Sequence, residues 1–359
     1  MRVILFTATG AENLGDELIT LCEIRELQKN ENTDITLFSH SIESTKRFLL
    51  SQKYHLENIA LREYFPNNIR RNPIRNMRLL WETMCQIKES EIIYIGGGGL
   101  FYGRDEEWRS PLFLWSLRVI AWKIFRKKIT YLSLGVTAKK EELSPLSSFL
   151  FKKTSISVRD AESLEQVKSL WYNGILLPDP VWSLDIEKKN NTEKVIGIAL
   201  RSGFLSDRIL SEIIKKLQEQ WYEIILLPHS LHPSNEASHD GYYLQNFLFP
   251  GVRTSQSIEQ TLEYYKKCHI IIGMRFHSMI LASIHSIPFI GISYGKKTSS
   301  LLAEMNWKYS YNKDMDSSDM LLKAIEDIES HYDELHNQLQ KISIEMKEKY
   351  IQWFHSLIW

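Results

Sequence analysis

The chain has 359 residues, 43% of them hydrophobic and 25% charged, with 44 lysines and arginines balancing 44 aspartates and glutamates. The length favours two domains, each large enough to bury a core without staples, and zero net charge argues against a dedicated nucleic-acid binder. Cys22, Cys85 and Cys268 stand far apart and in no CxxC spacing, so neither a disulfide framework nor a zinc module is expected.

The N-terminal run Val3–Thr7 reads as a short buried strand. A polar turn, Gly10–Gly15, follows, and then a helical pattern through Leu18, Ile19, Cys22, Ile24 and Leu27. Strand, glycine turn and helix open a βαβ unit. Further strands are expected at 34–39, 91–95, 129–134, 155–158 and 175–177, with a loop holding Arg62, Arg70, Arg71, Arg75 and Arg78 before the second of these. A Trp-rich helix is expected at roughly 111–125, and Arg159-Asp160 opens another that runs through Leu170. Residues 185–194 are polar and lack apolar anchors, which marks a domain boundary.

The strand–helix alternation then restarts. Strands are expected at 195–200, 223–227, 269–273 and 288–293, with helices at 206–218, 257–267 and 275–286. Leu335, Leu339, Ile342, Met346, Tyr350 and Phe354 recur at spacings of three and four or their sums, an amphipathic terminal helix. The reading is an α/β protein of two Rossmann-like domains in a GT-B-like arrangement with an interdomain cleft, the terminal helix packing back on the first domain. The expected domains are 1–184 and 195–310, followed by C-terminal helices over 311–359. The opening apolar stretch is too short for a signal peptide, and no run approaches the roughly 20 residues that span a bilayer. A cytoplasmic protein is expected.

Five polar or glycine motifs each follow an expected strand: Asn13-Leu14-Gly15-Asp16-Glu17, Gly96–Gly99, Arg159-Asp160, Arg201-Ser202 and Arg275-Phe276-His277-Ser278. Open α/β sheets bind ligands outside the carboxyl ends of their strands, where helix N-termini favour anions. Gly96–Gly99 lacks the GxGxxG spacing of a dinucleotide site, but it lets backbone approach a ligand closely; tight packing alone would explain it too. Asn13, Asp16 and Glu17 are either ordinary helix caps or partners for acceptor hydroxyls. Arg275 and His277 can converge on one anion, the arginine as a fork and the imidazole as a proton carrier. Arg201, at the end of the first strand of the second domain, would face the same cleft; by itself it fits a solvated side chain as well as a functional one.

Two other clusters have plainer readings. His229, His232, His239 and Asp240 fit no standard metal spacing, so no metal is expected. Trp108, Trp115 and Trp122, with Arg118, Lys123, Arg126, Lys127 and Lys128, fit either a membrane-surface helix or, preferably, a helix packed on the sheet. The arginine-rich 62–78 stretch reads as a solvated face able to steer an anionic carrier.

In their order along the chain, these motifs resemble the polysaccharide pyruvyl transferase family. The matching residues are Asn13–Glu17, Gly96–Phe101, Ser157–Asp160 with Ser163, Pro178-Asp179-Pro180, Leu200-Arg201 and Met274–Ser278. The resemblance implies transfer of a pyruvyl group from phosphoenolpyruvate to a cell-surface polysaccharide sugar or its lipid-linked precursor, with no metal or redox cofactor. It implies Arg201, Arg275, His277, Ser278 and Lys296 on the donor, with His277 and Arg275 catalytic. Asn13, Asp16, Glu17, Gly97, Gly98 and Gly99 would hold the acceptor. The chain departs from the family at Tyr294-Gly295-Lys296-Lys297, where relatives carry a Tyr-x-Pro-Lys stretch. Two alternatives stand beside this reading: a GT-B glycosyltransferase using a nucleotide sugar, and a non-catalytic sugar- or nucleotide-binding protein. Transient contact with a membrane surface is also expected.

Overall fold

A computed structural model describes residues 1–65, 72–101, 115, 118–119, 122–186, 193–203, 205–232, 239–312 and 318–358. Contacts divide the chain into two compact units. The first is Met1–Ala11, Asp16–Pro180 and Lys349–Trp359; the second is Glu12–Gly15 and Val181–Glu348. Part of the expected 185–194 boundary tract, residues 187–192, lies outside the described residues.

Among the described residues the first unit holds eight strands: β1 (Arg2–Phe6), β2 (Asp34–Ser39), β3 (Ile59–Glu63), β4 (Ile92–Ile95), β5 (Gly98–Phe101), β6 (Lys128–Val136), β7 (Ser155–Val158) and β8 (Ile175–Leu176). Their order is β3-β2-β1-β4-β6-β7-β8, with β5 beside β6, and every pairing is parallel. Parallel sheets need cover on both faces, and the central strands are accordingly near-continuous apolar runs. Phe6 stacks between Phe38 and Trp122 at centroid distances of 4.4 and 4.2 Å. Trp115, Val119 and Trp122 are helical and buried in this core, which bears out the packed-helix reading for the described part of the Trp-rich segment; Trp108 lies outside it.

The second unit holds six parallel strands among the described residues: β9 (Val195–Ala199), β10 (Glu223–Leu226), β11 (Val252–Thr254), β12 (Ile270–Gly273), β13 (Phe289–Ser293) and β14 (Ser310–Asn312). Their order is β11-β10-β9-β12-β13-β14. In both sheets the first strand lies beside the fourth, so chain direction across the sheet reverses there. Such a switch point leaves a crevice between diverging loops. In the second unit it falls between β9 and β12. The Asp207–Glu219 helix shows why the layers pack: Ile209, Leu210, Ile213, Ile214 and Leu217 form one buried stripe.

Three expectations are corrected locally. The glycine run is only partly a turn, because Gly98–Phe101 pairs with β6. The arginine-bearing "loop" contains β3, which carries Arg62, and the Pro73–Glu89 helix, which carries Arg75 and Arg78; Arg70 and Arg71 lie outside the described residues. Helix Phe276–Ile284 begins one residue after Arg275, which caps it. The terminal helix, Tyr332–Ile358, is a single element of 27 residues. From Lys349 onward it belongs to the first unit, where Tyr350 and Phe354 are buried and His355 Nε2 lies 3.4 Å from Glu26 Oε2. Its return to the first domain is as expected.

Candidate functional site

Within the second unit, three neighbouring strands deliver polar side chains to the carboxyl end of the sheet. Arg201 follows β9, Arg275 to Ser278 follow β12, and Tyr294 to Lys297 follow β13. The Arg201 guanidinium lies 5.6 Å from the centroid of the Tyr294 ring. The Lys297 ammonium lies 4.2 Å from the Phe276 ring, and that ring meets the His277 imidazole edge-on at 5.2 Å. Cations held over aromatic faces keep their charge while part of their water is stripped away. Lys296, exposed, opens the Lys296–Glu304 helix behind Gly295.

The loop Glu12–Gly15 belongs to the same unit. Leu14 N–H donates to the His229 carbonyl (2.8 Å) and Leu231 N–H to the Glu12 carbonyl (2.9 Å). Asn13 Oδ1 accepts the Gly15 N–H at 3.2 Å. A methyl at Gly15 would collide with the His277 imidazole. Glycine is therefore required there for close approach, and the Asn13 turn is built against the His277 side of the site. Asn13 was expected among acceptor ligands; its loop belongs to the unit that holds the expected donor residues.

Arg275 and Ser278 also differ from expectation. Arg275 Nε donates to Asp240 Oδ2 at 3.0 Å and its Nη2 to Oδ1, so its fork grips a carboxylate of this chain. Asp240 accepts the N–H groups of His229 and Ser230 as well, each at 3.1 Å. Arg275 thus braces the 229–230 loop through Asp240. Ser278 is fully buried, and its hydroxyl donates to the Arg275 carbonyl at 2.5 Å, stabilising the helix start. His229 Nε2 lies 2.7 Å from the Tyr265 hydroxyl; burial, then the charges of Arg275 and His277, push the His229 imidazole well below the ordinary histidine range. His239 accepts the Tyr242 N–H at 3.2 Å as a helix cap. With His229, His239 and Asp240 so engaged, no group of three ligand side chains gathers among the described residues.

In the first unit, Asp16 and the glycine run do meet. A methyl on Gly98, whose φ is +99°, would sit 3.2 Å from Asp16 Oδ1. Gly97 N–H donates to Glu23 Oε1 at 2.6 Å, and Gly99 is exposed. Glu17, expected on the acceptor, is instead buried at 1% exposure. Its carboxylate accepts the Gly10 N–H at 2.7 Å and the Thr9 hydroxyl, pinning the turn after β1. Beneath the glycines lie Arg159 and Asp179, both buried, with Nη1 to Oδ2 at 3.4 Å. A methyl at Gly135 would strike the Arg159 guanidinium.

A model of the polysaccharide pyruvyl transferase family matches residues 13–296, from the Asn13 turn to the Lys296 helix start. The chain belongs to that family.

Solved structures share its fold at low identity. The Anabaena Alr3699/HepE complex with UDP and glucose has a TM-score of 0.65 at 12% identity, covering 99% of this chain and 100% of that one. The UDP-GlcNAc 2-epimerase of Neisseria meningitidis bound to UDP-GlcNAc gives 0.62 at 12%, covering 100% and 99%. Arabidopsis thaliana UGT89C1 gives 0.60 at 9%, covering 100% and 99%. These likenesses establish the GT-B-like fold of the pyruvyl transferase chain. No curated protein matches the sequence.

Glu23, Tyr265, the contact of the Tyr294 ring with Arg201 and the bracing role of Asp240 carried no mark in the sequence of this pyruvyl transferase. Asp240 lies 35 residues from Arg275, and only the β10-to-β12 connection brings them together. Glu23 is one acid in a helix that reads as ordinary.

Proposed function

We propose that this family member transfers a pyruvyl group from phosphoenolpyruvate to two hydroxyls of a saccharide, giving a cyclic ketal and inorganic phosphate. The observation that carries this reading is the gathering of Arg201, His277 and Lys297 at the carboxyl ends of β9, β12 and β13. Phosphoenolpyruvate carries its phosphate ester and its carboxylate on one carbon. Two cations, on the strands that flank β12, offer one partner to each of these anionic groups, and the N-terminus of the Phe276–Ile284 helix adds its partial positive charge.

The chemistry asks little more. A proton delivered to the methylene carbon makes a methyl group and leaves positive character on the neighbouring carbon. His277, half-buried beside the cations, is assigned as its donor. One sugar hydroxyl adds to that carbon, and its proton restores the one His277 delivered. A second hydroxyl then displaces phosphate, which leaves with the second proton. Asp16, against the exposed glycine edge of the first unit, is assigned to the acceptor hydroxyls.

Phosphate release from phosphoenolpyruvate, measured against a panel of aryl and lipid-linked glycosides, tests this reading. His277→Gln is expected to lower turnover by roughly 10²–10⁴-fold while leaving donor-induced thermal stabilisation within about twofold. Stabilisation by a UDP-sugar and none by phosphoenolpyruvate would replace the proposal with a glycosyltransferase.

A further inference from the structure

The Pro73–Glu89 helix has two apolar faces where packing needs one. Asn76, Leu79, Thr83 and Ile87 are its buried positions, and these suffice to seat it on the sheet. Ile74, Met77 and Trp81 recur at spacings of three and four on another side, and they are 81%, 73% and 72% exposed. Side chains so spaced share one helix face. Together they present an apolar patch of a few hundred Å², the size at which a surface patch signals a partner.

The sequence that carries this patch is basic: from Arg62 to Glu82 it holds five arginines against Glu63 and Glu82, in a chain whose net charge is zero. A groove of about 640 Å³ runs beside the helix, and Arg62, Glu63, Arg75, Arg78, Trp81 and Glu82 are among its lining residues. Arg75 pairs with Glu63 at 2.5 Å and Arg78 with Glu82 at 2.6 Å. Arg62 donates to the Leu61 carbonyl at 3.0 Å and meets no carboxylate among the described residues. The two ion pairs are solvent-exposed and therefore weak, so stronger anions can compete for their arginines.

We propose that the outward face of this helix, Ile74, Met77 and Trp81 with the arginine-lined groove beside them, docks the protein on an anionic lipid bilayer. The three apolar side chains enter the acyl boundary, Trp81 sits at headgroup level, and the groove arginines take lipid phosphates. Charge selects this occupant. A second copy of the chain would have to bring a like-charged arginine rim against its own, whereas an anionic membrane complements it. The surface is distinct from the proposed donor and acceptor residues, and its docking requires neither.

Flotation of the full chain with vesicles of phosphatidylcholine, alone or mixed with phosphatidylglycerol, tests the surface without any reaction. The protein is expected to float with the mixed vesicles at low salt and to fall about tenfold in bound fraction at high salt or with phosphatidylcholine alone. The triple variant Ile74→Ser, Met77→Ser, Trp81→Ser is expected to lose about tenfold in binding. Its thermal midpoint should not change, because the replaced side chains are exposed. Arg62→Glu, outside the helix, is expected to weaken binding and flatten its salt dependence. Wild-type protein that stays unbound to mixed vesicles at low salt would overturn the proposal, as would a triple variant that floats like wild type. Light scattering adds a third arm: wild-type oligomers that the triple variant reduces to monomers, with no flotation, would assign the face to a second copy instead.

Discussion

Asp240 shows how much can rest on one carboxylate. It is 2% exposed and holds the Arg275 fork together with two backbone N–H groups. Removing one partner of a buried ion pair strands the other, which typically costs about 3–5 kcal/mol. Asp240→Ala is expected to destabilise by that order in urea unfolding. Asp240→Asn, which keeps an acceptor for the N–H groups, should cost less. Glu23 makes the opposite kind of prediction. Burial, reinforced by Asp179, pushes its carboxyl well above the usual carboxylate range, and the Gly97 N–H only partly offsets this. The folded chain therefore holds a proton that the unfolded chain has lost, so this residue's contribution to stability falls as pH rises from the ordinary carboxylate range toward the raised value. Glu23→Gln should flatten that segment of the stability-versus-pH curve, and an unchanged slope would assign the proton elsewhere. At this scale the sequence showed which residues follow strands, and Arg201 and His277 lie where that rule puts them. It did not show that Glu17, Ser278 and Arg275 are consumed by internal partners, because those partners are set by tertiary approach.

Whether an element could be read in the sequence depended on how it was buried. β1, β9, β12 and β13 carry continuous apolar runs because both faces are covered, and each was visible. β3, β11 and β14 were not: their residues are mostly half-exposed or exposed, and each stands at or near a sheet edge, where no apolar signature is needed. Helix ends carry a second lesson. Trp171 and Trp221 end their helices with φ of +66° each, and they are 95% and 89% exposed. A left-handed conformation costs a non-glycine residue roughly 1–2 kcal/mol, and these side chains return little packing. Trp171→Gly and Trp221→Gly are each expected to leave stability unchanged or raise it by up to about 1 kcal/mol, read from thermal midpoints.

For the whole molecule, two repeats of one sheet topology were legible from the restart of the strand–helix pattern after residue 194. The return of the terminal helix was legible too: Lys349–Trp359 lies at the far end of the chain and belongs to the first unit, where Tyr350 and Phe354 are covered. The membership of Glu12–Gly15 in the second unit was not, because nothing in that short polar turn marks which unit it joins. A chain truncated after Glu348 would lose both of these buried aromatics, on the order of 5 kcal/mol, a large part of a domain's usual 5–15 kcal/mol. Urea unfolding should then separate into two transitions, the weaker one reporting the first unit.

That same terminal helix sets an order of events at the ribosome. Residues 1–180 emerge early with their strands and most of their apolar surface already synthesised. The patch that Tyr350 and Phe354 cover stays wet until residues 349–358 have been made. The half of this protein that is made first is therefore the half that is sealed last.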